Sequence, residues 1–72
     1  MGQKIIKLKD NEPFITLQSV LKITGLVATG GMVKAFLGDN VVFVNGEREN
    51  RRGRKLYSGD EIQLLNEVFV IK

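Results

Sequence analysis

The sequence predicts a small α+β domain in which two short helices pack on a small, mostly antiparallel sheet. Three observations predict this fold. Apolar residues recur at helical spacing within residues 16–37, apolar residues alternate with polar ones within residues 41–71, and turn residues such as Asn45-Gly46 separate the alternating segments. The predicted order is β-α-α-β-β-β-β, and helices grouped apart from a run of strands are typical of α+β domains.

The first strand and the first helix are predicted from residues 4–25. The strand covers residues 4–9, with Ile6 and Leu8 facing the core. The first helix follows Thr16, whose side-chain oxygen can accept a hydrogen bond from a free amide of the first turn, and Gly25 ends it as a left-handed cap. The core-facing residues of this helix are Leu17, Val20 and Leu21.

A second helix and a hairpin follow. The helix is predicted over residues 32–37, after a glycine-containing loop at residues 26–31. Val42 and Val44 then share one face of a strand. Asn45-Gly46 predicts a two-residue hairpin turn, because both residues tolerate the positive φ that this turn requires.

The remaining strands are predicted near the end of the sequence. They cover residues 61–64 and 68–71 around a turn at Asn66-Glu67, and a further turn at residues 58–60 precedes them. Tyr57 is predicted to be a half-buried sheet residue.

Length and composition narrow the range of functions. A chain of 72 residues has room for one domain, which we assign to residues 1–72. No apolar run is long enough to cross a bilayer and no signal peptide is visible, so we expect a cytoplasmic protein without a membrane partner. The absence of histidine and cysteine removes the commonest catalytic bases, nucleophiles and metal ligands, so we expect neither an enzyme nor a cofactor.

Residues 48–55, hereafter the basic segment, are the most informative part of the chain. They hold five of the eleven Lys and Arg residues and a single acid, Glu49, so their net charge is +4 while that of the whole chain is +3. The other residues therefore sum to −1, and the positive charge is a local patch. A patch of this kind favours a nucleic-acid partner, because it can meet several phosphates at once.

A second candidate for phosphate binding is Thr29-Gly30-Gly31, which precedes the second helix. Free amides and a positive dipole end favour anions at a helix start, and glycines allow a close approach. The predicted RNA-binding residues are Lys22, Thr29, Gly30, Gly31, Lys34, Arg48, Arg51, Arg52, Arg54 and Lys55. The alternatives are a solvated basic loop, ordinary turn glycines, and an adaptor whose arginines bind an acidic protein.

Four segments together resemble the RNA-binding domain of the ribosomal protein S4 family. They are residues 16–25, Thr29, residues 42–46 with the sequence Val-Phe-Val-Asn-Gly, and residues 59–62 with the sequence Gly-Asp-Glu-Ile. The resemblance covers about residues 14–65. It implies an α-L RNA-binding motif, in which two helices and the following hairpin form the RNA-binding surface.

A narrower resemblance is to the small stand-alone bacterial members called YaaA, through residues 29–31 and 51–56. The chain departs from the broad family pattern at residues 16–18, where Arg-Leu-Asp is usual, and at Thr29-Gly30, where Ser-Arg is usual. Asn40 also stands where glycine is usual. Two arginines that commonly meet phosphate are thus absent, and we hypothesise that the basic segment and Lys34 compensate for them.

The resemblance implies binding to structured ribosomal RNA or to ribosomal particles. It is the resemblance that favours RNA over DNA, because charge alone does not distinguish the two polymers. A DNA-associated factor in replication or recombination therefore remains an alternative, beside the protein adaptor.

Overall fold

The computed structural model describes residues 3–72, so the first two residues of the predicted domain 1–72 lie outside the described part. Seven strands and two helices follow one another within residues 3–72. They are β1 Gln3–Ile6, β2 Ile15–Thr16, α1 Leu17–Ile23, α2 Gly30–Asp39, β3 Phe43–Val44, β4 Glu47–Arg48, β5 Lys55–Leu56, β6 Glu61–Leu64 and β7 Glu67–Ile71. The predicted α+β fold is confirmed.

The main sheet has five strands in the order β1-β7-β6-β3-β4. Its neighbours pair antiparallel except β1 and β7, which run parallel with Ile6 opposite Ile71. Strands β2 and β5 form a separate antiparallel pair that joins Ile15 to Leu56. The sheet is therefore mostly antiparallel, as predicted.

One core holds the helices and the sheet together. Buried and exposed residues alternate along β6, where Ile62 and Leu64 face inward while Glu61 and Gln63 face solvent, so only one face of the sheet is covered. The buried apolar residues are Ile6, Leu17, Val20, Leu21, Val27, Val33, Val42, Val44, Leu56, Ile62, Leu64, Phe69 and Ile71.

The local signals for the first helix are confirmed. Thr16 lies in extended backbone before α1, and its side-chain oxygen accepts a hydrogen bond from the Ser19 amide. Gly25 has a φ of +80° just after the helix, where a side chain would be strained. These two residues fix the length of α1.

Three predicted boundaries are wrong. Helix α2 begins at Gly30 and not at residue 32, because both glycines of the expected loop form its first turn. Strand β1 ends at Ile6, although Leu8 still packs partly against the core. The last turn lies at Leu65-Asn66, one residue earlier than predicted, since both residues adopt positive φ.

The short pair β2 and β5 was not predicted, because two-residue strands are too short to show an alternating pattern. Tyr57, predicted to be a half-buried sheet residue, instead follows β5 and is 48% exposed. The basic segment therefore ends in β5, and the exposed Tyr57 side chain lies just after it.

The hairpin between β3 and β4 is the predicted one. Asn45 and Gly46 have φ values of 53° and 83°, the combination that a two-residue hairpin turn requires. The Asn45 side chain also reaches the turn before β6. Its amide nitrogen donates to Asp60 Oδ1 at 3.1 Å, and its carbonyl oxygen accepts from the Glu61 amide at 3.0 Å.

These bonds give the first testable prediction. We expect Asn45→Ala to lower the free energy of unfolding by about 2 kcal/mol, since it combines left-handed strain with two lost hydrogen bonds. Asn66→Ala is the matched control: Asn66 has a φ of 63°, and its side chain makes no hydrogen bond within residues 3–72. We expect about 1 kcal/mol for the control in urea unfolding. Equal losses would show that the side-chain bonds of Asn45 do not stabilise the fold.

Candidate nucleic-acid interface

A buried carboxylate organises the basic segment. Glu49 is 8% exposed, and both of its oxygens are occupied. Oε2 accepts from the Asn50 amide at 3.1 Å, from the Arg51 amide at 3.0 Å and from Arg51 Nε at 3.0 Å. Oε1 accepts from Arg51 Nη2 at 3.1 Å and Arg54 Nη1 at 2.7 Å. The segment therefore closes around one acid.

The same contacts change the ionisation of the pair. The pKa of the Glu49 carboxyl falls from 4.5 to about 2. Hydrogen bonds from the Arg51 side chain lower it most, and burial opposes them by disfavouring the charged carboxylate. The Arg51 amide and the Arg54 side chain lower the pKa further. In return, the hydrogen bond and charge of Glu49 raise the pKa of Arg51. The Arg51 side chain is nevertheless 74% exposed, so its outer edge faces solvent.

Backbone hydrogen bonds attach the basic segment to α1. The amides of Leu17 and Gln18, in the first turn of the helix, donate to the carbonyls of Arg54 and Arg52, each at 2.9 Å. The first amides of a helix lack partners within it, so these carbonyls satisfy two of them. The basic segment is thus held by the helix as well as by Glu49.

Lys34 lies across a groove from the basic segment. The groove is open, has a volume of about 590 Å³, and separates the second half of α2 from the segment. Its lining residues are Lys34, Leu37, Gly38, Asn50, Arg51, Arg52 and Gly53. The structure therefore brings Lys34 together with Arg51 and Arg52, although they are far apart in the sequence.

The start of α2 continues this basic surface. The Lys22 ammonium lies 3.8 Å from the position that a Cβ on Gly30 would occupy. Gly30 and Lys34 are four residues apart and so lie on the same side of the helix. Thr29 precedes the helix without capping it through its side chain, and Gly31 is exposed. Two positive groups therefore lie on this side of α2, Lys22 beside its first residue and Lys34 at the groove.

The remaining predicted residues flank the groove. Arg48 is exposed in β4 and lines a second cavity of about 320 Å³, beside Glu49 and Asn50. Lys55, in β5, holds its ammonium 5.0 Å from the centre of the Phe14 ring. Within residues 3–72, Arg48, Arg52 and Lys55 make no ion pair, so their charge is available to a partner.

Glu49 was not predicted from the sequence, where it counted only as one negative charge in a basic run. Its role depends on a loop that folds back on itself and on α1, and neither contact has a sequence pattern. The available signal was the placement of a single acid two and five residues before Arg51 and Arg54. A single acid among five basic residues indicates an ion pair within the segment, and Glu49 could have been predicted on this ground.

Two further features were looked for in the described residues, a metal-binding cluster and a membrane-spanning helix. Residues 3–72 contain no group of three or more acidic, histidine or cysteine side chains placed to hold a metal ion. No helix within these residues is long and apolar enough to span a membrane.

A comparison with protein families identifies the family to which this fold belongs. The model of the S4 domain matches residues 6–72, which include both helices and the whole basic segment. The chain belongs to the S4 domain family. This membership confirms the resemblance drawn from residues 16–62 and supports an RNA-binding role.

One similar protein is the "Probable ribosome maturation protein RlbA" of Bacillus subtilis (strain 168). It is 50% identical to this S4 domain over 50 residues, which are 69% of this chain and 70% of that protein. No solved structure matches the chain significantly.

Proposed function

We propose that this S4 domain binds structured ribosomal RNA, or a ribosome assembly intermediate, through the basic segment and the adjoining side of α2. The observation that carries the proposal is the preformed basic segment, in which Glu49 and the first turn of α1 hold the arginines before any partner arrives. A charged surface that is already ordered loses little conformational entropy on binding. The ribosome maturation role in the name of the similar protein supports a ribosomal target.

The proposed contacts are made mainly to the RNA backbone. Arg52 and Arg48 make no ion pair within residues 3–72, and guanidinium groups bind phosphate through two parallel hydrogen bonds. Lys34 closes the other side of the groove, and Lys22 extends the surface to the start of α2. Such a surface recognises the shape of a folded RNA and neutralises several phosphates. We further propose that the protein acts in the cytoplasm by binding alone.

The test is binding to fragments of ribosomal RNA and to DNA duplexes of equal length across a salt series. Neutralisation of about four phosphates should give a log–log slope of about −3 to −4 for RNA. We expect tighter binding to RNA than to DNA. Equal binding to both would contradict RNA selectivity and leave a general polyanion binder. Absence of binding to either would refute the proposal and favour an acidic protein partner, whose capture should resist ribonuclease.

A further inference from the structure

We infer that Tyr57 and the end of the basic segment form a pocket for one unpaired nucleotide of the RNA, with the base stacked on the Tyr57 ring. The inference rests on the proposed RNA-binding function and adds to it the kind of RNA bound, a helix interrupted by an unpaired base. A paired base is stacked within its helix and does not offer a free face to a protein ring.

The first observation is the pocket itself. It has a volume of about 440 Å³, within the range of pockets that take small ligands, which is roughly 300–1,000 Å³. Its lining residues are Arg51, Gly53, Arg54, Lys55 and Tyr57. The lining contains one aromatic ring and three cations, two of which, Arg51 and Arg54, also pair with Glu49, so these four charged groups keep a net charge of +2. This combination suits a nucleotide with a flat base and a negative phosphate.

The second observation is that Tyr57 is exposed but held in place. Its ring is supported by Phe14, whose centre lies 5.9 Å away at an angle of 55°. Its backbone is fixed by Asp60: the Tyr57 amide donates to Asp60 Oδ2 at 2.7 Å, and the Asp60 amide donates to the Tyr57 carbonyl at 2.9 Å. A large aromatic side chain that is 48% exposed on a rigid turn can stack without first being ordered.

The third observation is the position of the cations around the ring. Arg51 and Gly53 line both this pocket and the groove beside Lys34, so the two depressions are contiguous. Lys55 holds its ammonium 5.0 Å from the centre of the Phe14 ring, next to the aromatic pair. A phosphate next to the stacked base can therefore meet Arg51, while the base covers Tyr57.

The chain offers a direct spectroscopic test, because Tyr57 is the single tyrosine and tryptophan is absent. Tyrosine fluorescence of the unmodified protein therefore reports this site alone. The probes are three RNA hairpins: a fully paired stem, the same stem with one bulged nucleotide, and the bulged stem with an abasic residue in the bulge. Free N-acetyltyrosinamide at each RNA concentration corrects for light absorbed by the RNA.

We expect the bulged hairpin to quench Tyr57 fluorescence and to bind about tenfold more tightly than the paired and abasic hairpins. Tyr57→Leu should remove this tenfold preference, whereas Tyr57→Phe, which keeps the ring, should retain it. Equal binding of all three hairpins without quenching would overturn the inference and leave the proposed function intact. Failure of all three to bind would overturn both.

Discussion

Glu49→Gln should weaken RNA binding by about tenfold, although it removes a negative charge from a basic surface. In the folded protein the carboxylate holds Arg51 through two hydrogen bonds and Arg54 through a third. A neutral amide can accept from these groups only weakly, and its own hydrogen atoms face them. The arginines then lose their fixed positions, and ordering them again on RNA costs affinity.

The net charge of the surface and the positions of the arginines predict opposite effects of Glu49→Gln on RNA affinity. Measuring the affinity therefore separates the two explanations. If only net charge mattered, Glu49→Gln would bind RNA more tightly. The matched control is Glu47→Gln: Glu47 is exposed in β4, makes no ion pair within residues 3–72, and undergoes the same chemical change. We expect the control to bind as tightly as the parent or slightly more tightly. Tighter binding by both variants would show that Glu49 does not position the arginines.

The stability of Glu49→Gln provides a second measure of the same role. The folded protein lowers the Glu49 pKa from 4.5 to about 2, so ionised Glu49 stabilises the fold fully above pH 4.5, and this contribution is lost as pH falls towards 2. We expect the variant to lose about 2 kcal/mol at pH 7, less than the full pKa difference implies, because Arg51 is largely solvated. Urea unfolding at several pH values should show that the difference from the parent shrinks in acid. A constant difference would contradict the ion-pair explanation.

Lys34→Glu combined with Arg52→Glu should weaken RNA binding by about 100-fold at moderate salt and make the salt slope about two units shallower. The two residues lie on opposite sides of the same groove, and neither makes an ion pair within residues 3–72. In the proposed interface, each reversal would remove one phosphate contact and add a repulsive charge. The Arg52 carbonyl, which accepts from α1, is unchanged, so the fold should be retained.

The control for this pair is Lys4→Glu combined with Lys72→Glu, which changes the net charge by the same amount. Lys4 lies in β1, where its ammonium pairs with Glu67 at 3.1 Å, and Lys72 follows β7 beside it, at the sheet edge opposite β4. Urea unfolding establishes whether the control variant remains folded without this ion pair. Four strand spacings separate the two edges, which is about 19 Å. We expect the control to lose less than tenfold in affinity. Equal losses in the two double variants would mean that RNA responds to total charge and not to the groove.

The parts of the fold that were predicted correctly are those set by local chemistry. Thr16 caps α1 because its side chain reaches an amide three residues away, and Asn45-Gly46 turns the chain because both residues accept positive φ. The last turn was predicted one residue too late, because the positive φ of 49° at Leu65 is not expected for a leucine. Local preference decided the first two cases, and the pairing of β6 with β7 decided the third.

The candidate site was predicted as a set of charges and not as an arrangement. The basic segment and Lys34 were both identified from the sequence, but their meeting across a groove depends on how α2 packs beside the segment. The carbonyls of Arg52 and Arg54 attach to the first turn of α1, about 35 residues earlier in the chain. Contacts between such distant residues follow from the three-dimensional fold and have no periodic signal.

The parallel pairing of β1 with β7 has a consequence for synthesis of the protein. Strand β1 is made first among the described elements, yet its partner β7 is made last, so the sheet cannot be completed while the ribosome is still adding residues 67–71. Until then Ile5 and Ile6 have no strand beside them, and an unpaired apolar segment can associate with other nascent chains. Folding of this domain is therefore necessarily a late event, concluded after translation of its final strand.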